Sequence, residues 1–379
     1  MEYVLLKDVC SINMGQSPDS DSYNDIGEGL PFFQGNADFG VRYPVAHKWC
    51  NMPIKIAEPD DILISVRAPI GSLNFAKERC CIGRGLAALK PDKAKIIPEF
   101  IFWLLKAKNN ELNSKGTGST FKAINRRTLE EIKVPNINLD VQKKYAIELE
   151  KVQKIIQLRK QELFELDNLT KARFIEMFGD CVVNPKGWKT KCLEDIAEVG
   201  SSKRVFIEEL QESGIPFYRG TEVGALADGK QISPELFITE EHYTELCKAT
   251  GAPQIGDLLM PSICPDGRIW VVNTDEPFYF KDGRVLWVHA IDNSYNSVFL
   301  LYTLKDRIMT DYSSIASGTT FAELKIFALK KCRIFDVPIT LQNKFAAFAA
   351  QTDKSKAVIQ KSLEKTQLLF DSLMQKYFG

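Results

Sequence analysis

The chain has 379 residues, 45% of them hydrophobic, and its 49 Lys and Arg are balanced by 49 Asp and Glu. That length supports two or three domains with a core in each, and zero net charge argues neither for nucleic-acid binding nor against a local basic face. Nine scattered cysteines, with one vicinal pair (Cys80-Cys81) and no C-x-x-C, fit reduced thiols rather than a disulfide framework or a zinc site. The first residues lack the basic-then-apolar layout of a signal peptide, and no apolar run approaches the ~20 residues of a membrane span, so the expectation is a soluble, cytoplasmic protein.

In chain order, the first half is a set of short β-like runs broken by Gly and Pro, among them 62–66 and 86–89. Pro98 marks the start of a helix over 98–108. Residues 141–179 contain no Pro or Gly before Gly179 and predict a helix of ten turns, ~55 Å long at 1.5 Å per residue. The second half repeats the series with strands at 258–260 and 285–289, a helix over 297–307 and a last long helix over 341–379. The mixture reads as α+β with an antiparallel or mixed sheet. The expected partition is a globular domain over 1–140, a long helix over 141–180, a second domain over 181–338 and a second long helix over 339–379.

The two halves are related. A shift of 200 lays Gln142 on Gln342, Lys144 on Lys344, Ala146 on Ala346, Leu163 on Leu363 and Phe178-Gly179 on Phe378-Gly379. The globular parts match in the same order: Leu6-Lys7-Asp8-Val9 with Leu193-Glu194-Asp195-Ile196, and Gly29-Leu30-Pro31-Phe32 with Gly214-Ile215-Pro216-Phe217. Asp61-Ile62-Leu63-Ile64 then matches Asp257-Leu258-Leu259-Met260, and Gly83-Arg84 matches Gly283-Arg284. Preserved order with slowly drifting offsets identifies an internal duplication. The offset rises by 11 between Gly35 and Asp61, so residues 35–61 and 220–257 are expected to be surface loops on a shared framework.

Both long helices carry seven-residue apolar tracks. In the first, Leu149, Ile156 and Leu163 form one track, and Tyr145, Val152 and Leu166 another. The second has Phe345, Ile359 and Leu373 on one and Leu363 and Phe370 on the other. Such tracks make a seam for helix pairing. A helix this long outruns a domain of about 140 residues, whose radius of gyration is only ~14 Å. The two helices are therefore expected to form an antiparallel, pseudo-twofold coiled coil that also docks partners. The alternative is two helices packed separately on their own domains.

No catalytic constellation emerges. Gly224 to Lys230 has Walker spacing, but Gln231 stands where Ser or Thr would hold Mg²⁺, and the stretch reads as a polar surface turn. Pro91-Asp92 with Glu131-Ile132-Lys133, and Pro265-Asp266 with Glu323-Leu324-Lys325, resemble nuclease patterns but do not align between the copies. His47, His242 and His289 do not repeat and read as surface or satisfied core residues. No catalytic or metal-binding residue is assigned.

The loops offer groups suited to nucleic acid. One polar, basic set is Gln16 and Ser17 in the first half, with Ser202, Lys203 and Arg204 at the corresponding place. Another is Lys115, Thr117, Ser119, Lys122 and Arg126, with Thr319 and Thr320 as counterparts. Hydroxyls and backbone N–H groups beside Lys or Arg grip phosphate oxygens; the same residues also make ordinary solvated turns. The shared Arg84 and Arg284 suit anchoring common to both halves, and Arg67 and Arg268 complete the basic set. Positions that differ, Gln34/Arg219, Asn36/Thr221, Asn74/Trp270 and Lys122/Ala322, could distinguish two DNA sequences, since Arg, Gln and Asn read base edges.

The whole chain resembles the specificity subunit of type I restriction–modification systems. The resemblance is carried by P-D-D-I-L-I at 59–64 and G-D-L-L-M at 256–260, by G-T-G-S-T-F and S-G-T-T-F at 116–121 and 317–321, and by the runs over 132–144 and 336–345. It implies a non-catalytic DNA reader: two similar α/β target recognition domains, one per half of a split double-stranded DNA site, separated by two antiparallel helices. It also implies two methyltransferase subunits docked on the helices, joined by two restriction subunits where the system restricts, in a prokaryotic cytoplasm. S-adenosylmethionine would belong to the methyltransferase, which flips out an adenine to methylate it, and ATP and Mg²⁺ to the restriction partner. No cofactor is expected in this chain. The other function class left by the residues is a duplicated coiled-coil adaptor that does not read DNA.

Overall fold

A computed structural model describes residues 2–118, 122–318 and 322–379 of the chain. The chain divides into two compact units, residues 1–161 with 360–379 and residues 162–359.

In the first unit the strands that frame the site are β1 (Cys10–Met14), β2 (Leu30–Phe33), β3 (Ile62–Ser65), β4 (Leu73–Phe75), β5 (Cys80–Ile82) and β6 (Leu86–Pro91). They precede helix α1 (Pro98–Ala107) and the long helix α2 (Leu139–Phe178). An antiparallel sheet runs β1-β6-β3-β4, with Leu89 opposite both Ile12 and Ile62. Every residue of β3 is buried, as a central strand requires. A second sheet contains the parallel pair β2–β5, Phe32 opposite Cys81 and Phe33 opposite Ile82.

The second unit repeats this topology. Its elements are β7 (Glu198–Gly200), β8 (Ile215–Tyr218), α3 (Gly220–Ala227), α4 (Glu240–Thr250), β9 (Leu258–Pro261), β10 (Trp270–Val271), β11 (Tyr279–Phe280), β12 (Val285–His289), α5 (Ser297–Ile315) and α6 (Ile339–Phe378). The four-stranded order β7-β12-β9-β10 matches the first unit strand for strand, and β8–β11 repeats the parallel pair. The expected strands and helix starts are present. Helix α5 continues to Ile315, past the expected end at 307, with non-helical backbone at Asp311.

Two expectations are corrected. Residues 220–257 are not simply loops, because they form α3 and α4. The insertion supplies its own apolar contacts: Val223 is buried against Trp270 and Val285, and Leu246 against Phe217 and Tyr279. The stretch with Walker spacing is likewise no surface turn at its start. Gly224 is buried in α3, where a Cβ would come within 2.9 Å of Arg268 Nη1.

Each unit contains one end of both long helices, running antiparallel. In the first, Tyr145 stacks on Tyr377 with centroids 3.7 Å apart, the Tyr377 hydroxyl donates to Glu148, and Arg159 Nη1 donates to the Ser362 carbonyl at 2.7 Å. In the second, Phe174 packs on Phe345 at 5.2 Å, and Lys356 Nζ lies 3.0 Å from Asp167 and 2.7 Å from Asp353. The apolar seam serves the domain as well as the partner helix. Leu149, Ile156 and Phe370 are buried in one cluster with Trp103 and Leu104 of α1, and Tyr145, Val152, Leu363 and Leu373 pack against it. Phe345 is buried with Phe299 of α5, while Leu163, Leu166 and Ile359 are half-buried.

Candidate nucleic-acid interface

In the first unit, four loops converge at the ends of the sheet strands. The Gly15 N–H donates to the Leu86 carbonyl at 2.9 Å and the Gln16 N–H to the Ile82 carbonyl at 3.1 Å. This approach requires glycine, since a Cβ on Gly15 would lie 2.2 Å from the Gly83 carbonyl oxygen. Ser17 Oγ accepts from the Arg84 N–H at 3.3 Å, and the Gln34 carbonyl accepts from the Gly85 N–H at 3.2 Å. Asp38 Oδ2 accepts from the N–H groups of Gln34 and Gly35 at 2.7 and 3.2 Å, fixing that turn.

The result is a concavity of about 240 Å³ lined by Gln34, Gly35, Asn36, Arg67, Ala68, Arg84 and Gly85. Four side chains proposed from sequence therefore meet in one place. The Ala68 N–H donates to the Lys122 carbonyl at 3.1 Å, and Arg67 and Thr117 both bridge to Ala123, which brings Thr117 and Lys122 alongside. Arg67, Arg84 and Lys122 are exposed and form no ion pair with any described residue. Lys115 and Arg126 instead lie 2.6 Å from Glu111 and 2.8 Å from Glu130, each one helical turn away.

In the second unit the candidate arginines all have carboxylate partners. Arg204 lies 3.2 Å from Asp282, Arg268 lies 2.8 Å from Asp266, and Arg284 pairs with Glu323. Arg219 Nη2 is 2.6 Å from Glu222 and 3.2 Å from Glu235, and Thr221 donates to Glu222 at 3.0 Å. Burial alone would raise the Glu222 carboxyl. Hydrogen bonds from the Arg219 side chain and N–H, its own N–H and Thr221 outweigh that and bring it down to about 2.

Residues 1–168 and 185–367 match the family described as type I restriction modification DNA specificity domain. The chain belongs to that family. The two matched segments correspond to the two copies of the duplication, and the family's role is DNA specificity, that of the recognition component and not of a catalytic subunit. The chain is 43% identical over 160 residues to a putative type I restriction enzyme MjaX specificity subunit of Methanocaldococcus jannaschii, covering 42% of this chain and 38% of that relative. It is 26% identical over 360 residues to the type I restriction enzyme MjaIX specificity subunit of the same organism, covering 87% and 79%. The crystal structure of a type I restriction–modification S subunit from M. genitalium shares the fold, with a TM-score of 0.62 over 100% of this chain and 96% of that one at 16% identity. No described helix is long and apolar enough to cross a membrane.

Several side chains named from sequence are committed to the fold. Asn74 is 1% exposed, and its amide bonds the N–H and carbonyl of Gly40, while Trp270 is 5% exposed in an apolar cluster. This pair cannot read bases as expected. The Ser202 hydroxyl donates to the Phe280 carbonyl at 2.6 Å and has no proton left for a phosphate. Lys203 remains exposed, its N–H held by the Tyr279 hydroxyl at 3.0 Å. Ser119, Thr319 and Thr320 lie outside the described residues. The sequence reading missed the carboxylates beside the arginines. The signal for Glu222 was its place three residues after Arg219, where an acid closes a capping box.

Proposed function

We propose that this chain is the DNA-specificity subunit of a type I restriction–modification complex, each unit reading one half of a split double-stranded site. The observation that carries the reading is the convergence of Gln34, Asn36, Arg67 and Arg84 on one concavity. Arg219, Thr221 and Arg284 occupy the repeated loops of the second unit. Amide and guanidinium groups on glycine-framed loops suit base edges, and unpaired Arg and Lys beside them suit the flanking phosphates.

In this proposal two methyltransferase subunits dock on the long helices, with restriction subunits joining them in a restricting system. S-adenosylmethionine and the methyl transfer then belong to the methyltransferase, and ATP and Mg²⁺ to the restriction subunit. This chain binds, orients and spaces. The test is coexpression with a methyltransferase subunit of the same system, followed by mapping of methylated adenines. The expected result is a bipartite motif, one half of which changes when residues 1–140 are exchanged for those of a relative. Methylation indifferent to that exchange overturns the proposal.

A further inference from the structure

We propose that positions 34 and 219 are the matching base-reading positions of the two units, with Gln34 recognising adenine and Arg219 guanine. This rests on the DNA-reading assignment above.

The two positions are equivalent in backbone terms. Each follows the parallel-paired strand, β2 or β8, and each N–H is held by an acid further along the turn. Gln34 donates to Asp38 at 2.7 Å and Arg219 to Glu222 at 2.8 Å. Each loop also abuts the turn that joins the parallel-paired strand to the next one, residues 83–85 in the first unit and 281–284 in the second. The Gly85 N–H bonds the Gln34 carbonyl, and a Cβ on Gly220 would lie 3.4 Å from the Arg284 carbonyl oxygen.

The side chains differ in what they offer. Gln34 is exposed, and its amide bonds no described residue, leaving one donor and one acceptor that match adenine N6 and N7. Arg219 is oriented. Glu222 takes Nε at 3.1 Å and Nη2 at 2.6 Å, while Nη1 bonds no described residue. The second contact to Nη2 comes from Glu235, whose side chain is 75% exposed against 13% for Glu222. Glu235 is therefore the exchangeable partner. With it displaced, Nη1 and Nη2 present the end-on fork that fits guanine O6 and N7.

The carboxylates also favour a base over a phosphate. Two anions beside the guanidinium cancel most of the attraction that a phosphate would feel. A neutral guanine edge keeps its hydrogen bonds. Arg67 and Arg84, which pair with no carboxylate among the described residues, are the phosphate-type groups of the first unit.

The test uses the full chain with its methyltransferase partner and a library of duplexes randomised across both half-sites and the spacer. Wild type is expected to select an adenine in one half-site and a guanine in the other. Gln34→Arg should replace that adenine with guanine, and Arg219→Gln should replace that guanine with adenine. Each change should weaken binding to the original duplex about tenfold or more. Selection of the untouched half-site reports that each variant is folded, and Arg219→Lys, which keeps the charge but not the fork, should lose the guanine preference. If wild type selects a bipartite motif and the variants select the same one, the inference at 34 and 219 is overturned while the DNA-reading assignment stands. If wild type selects no sequence, both fall.

Discussion

Gln142 and Gln342, 200 positions apart in sequence, make the same hydrogen bonds in their separate units. Gln142 Oε1 accepts from the Ile97 N–H at 2.9 Å, and its Nε2 donates to the carbonyls of Ile137 and Lys95 at 2.8 and 3.2 Å. Gln342 Oε1 accepts from the Asn296 N–H at 2.8 Å, and its Nε2 donates to Val337 and Ser294 at 2.9 and 3.0 Å. Ile97 and Asn296 are the N-cap residues of α1 and α5. A buried amide therefore ties the first turn of each long helix to the start of a domain helix, making each junction stiff.

Replacing either glutamine with leucine leaves a buried N–H and two carbonyls without that partner. Each variant is expected to lose about 1–3 kcal/mol of stability in urea unfolding. A loss confined to a few tenths of a kcal/mol would mean that water or a shifted backbone supplies the same bonds.

The unpaired cations of the first unit should dominate the salt dependence of DNA binding. Each phosphate contact contributes about −0.9 to the slope of log K against log salt. Arg67→Ala, Arg84→Ala and Lys122→Ala are each expected to reduce the slope by about that much with base preference intact. Arg204→Ala should reduce it less, because Asp282 already lies 3.2 Å from that guanidinium. Equal effects from all four would show that the ion pairs open freely on DNA.

Glu222 makes a pH prediction with a definite sign. Its carboxyl is held down to about 2 in the folded chain, against about 4.3 for an unfolded glutamate. A depressed acid contributes stability above the unfolded value and loses it as pH falls through the folded one. The contribution should be complete above about pH 5 and gone only below about pH 2. Half-exposed Arg219 limits it to about 1 kcal/mol. Glu222→Gln should flatten this part of the stability profile, followed by thermal melting. An unchanged acid limb in the variant would place the titration elsewhere.

The repeat, the long helices and the central strands were legible because each leaves a periodic or duplicated mark. Val285–His289 is a run of apolar residues bounded by turn residues, and residues 139–178 form a Pro- and Gly-free stretch. Helices α3 and α4 were not legible, because they lie in the insertion, where the first copy offers no template. At the site, Gln34, Arg67 and Arg84 were found by residue type and placement in loops. Two partners of the second unit's arginines were hidden. Asp282 lies 78 residues from Arg204 and Glu323 lies 39 from Arg284, so only the fold brings them together. Asn74 was misread because a buried amide serving Gly40 and an exposed one serving a base look alike in sequence.

If the helix pair sets the distance between half-sites, its length is written in the DNA spacer. Removing one heptad from each helix, Gln157–Leu163 and Ile359–Lys365, keeps the seven-residue tracks in phase and shortens each helix by ~10.5 Å. At 3.4 Å per base pair that corresponds to about three base pairs. Adenine methylation by the complex is expected to move to a motif with the same two half-sites and a spacer about three base pairs shorter. The shortening also turns the half-sites by about a third of a helical turn relative to one another. A deletion variant that folds, keeps the original spacer and methylates at the wild-type rate would show that the helices do not set the distance.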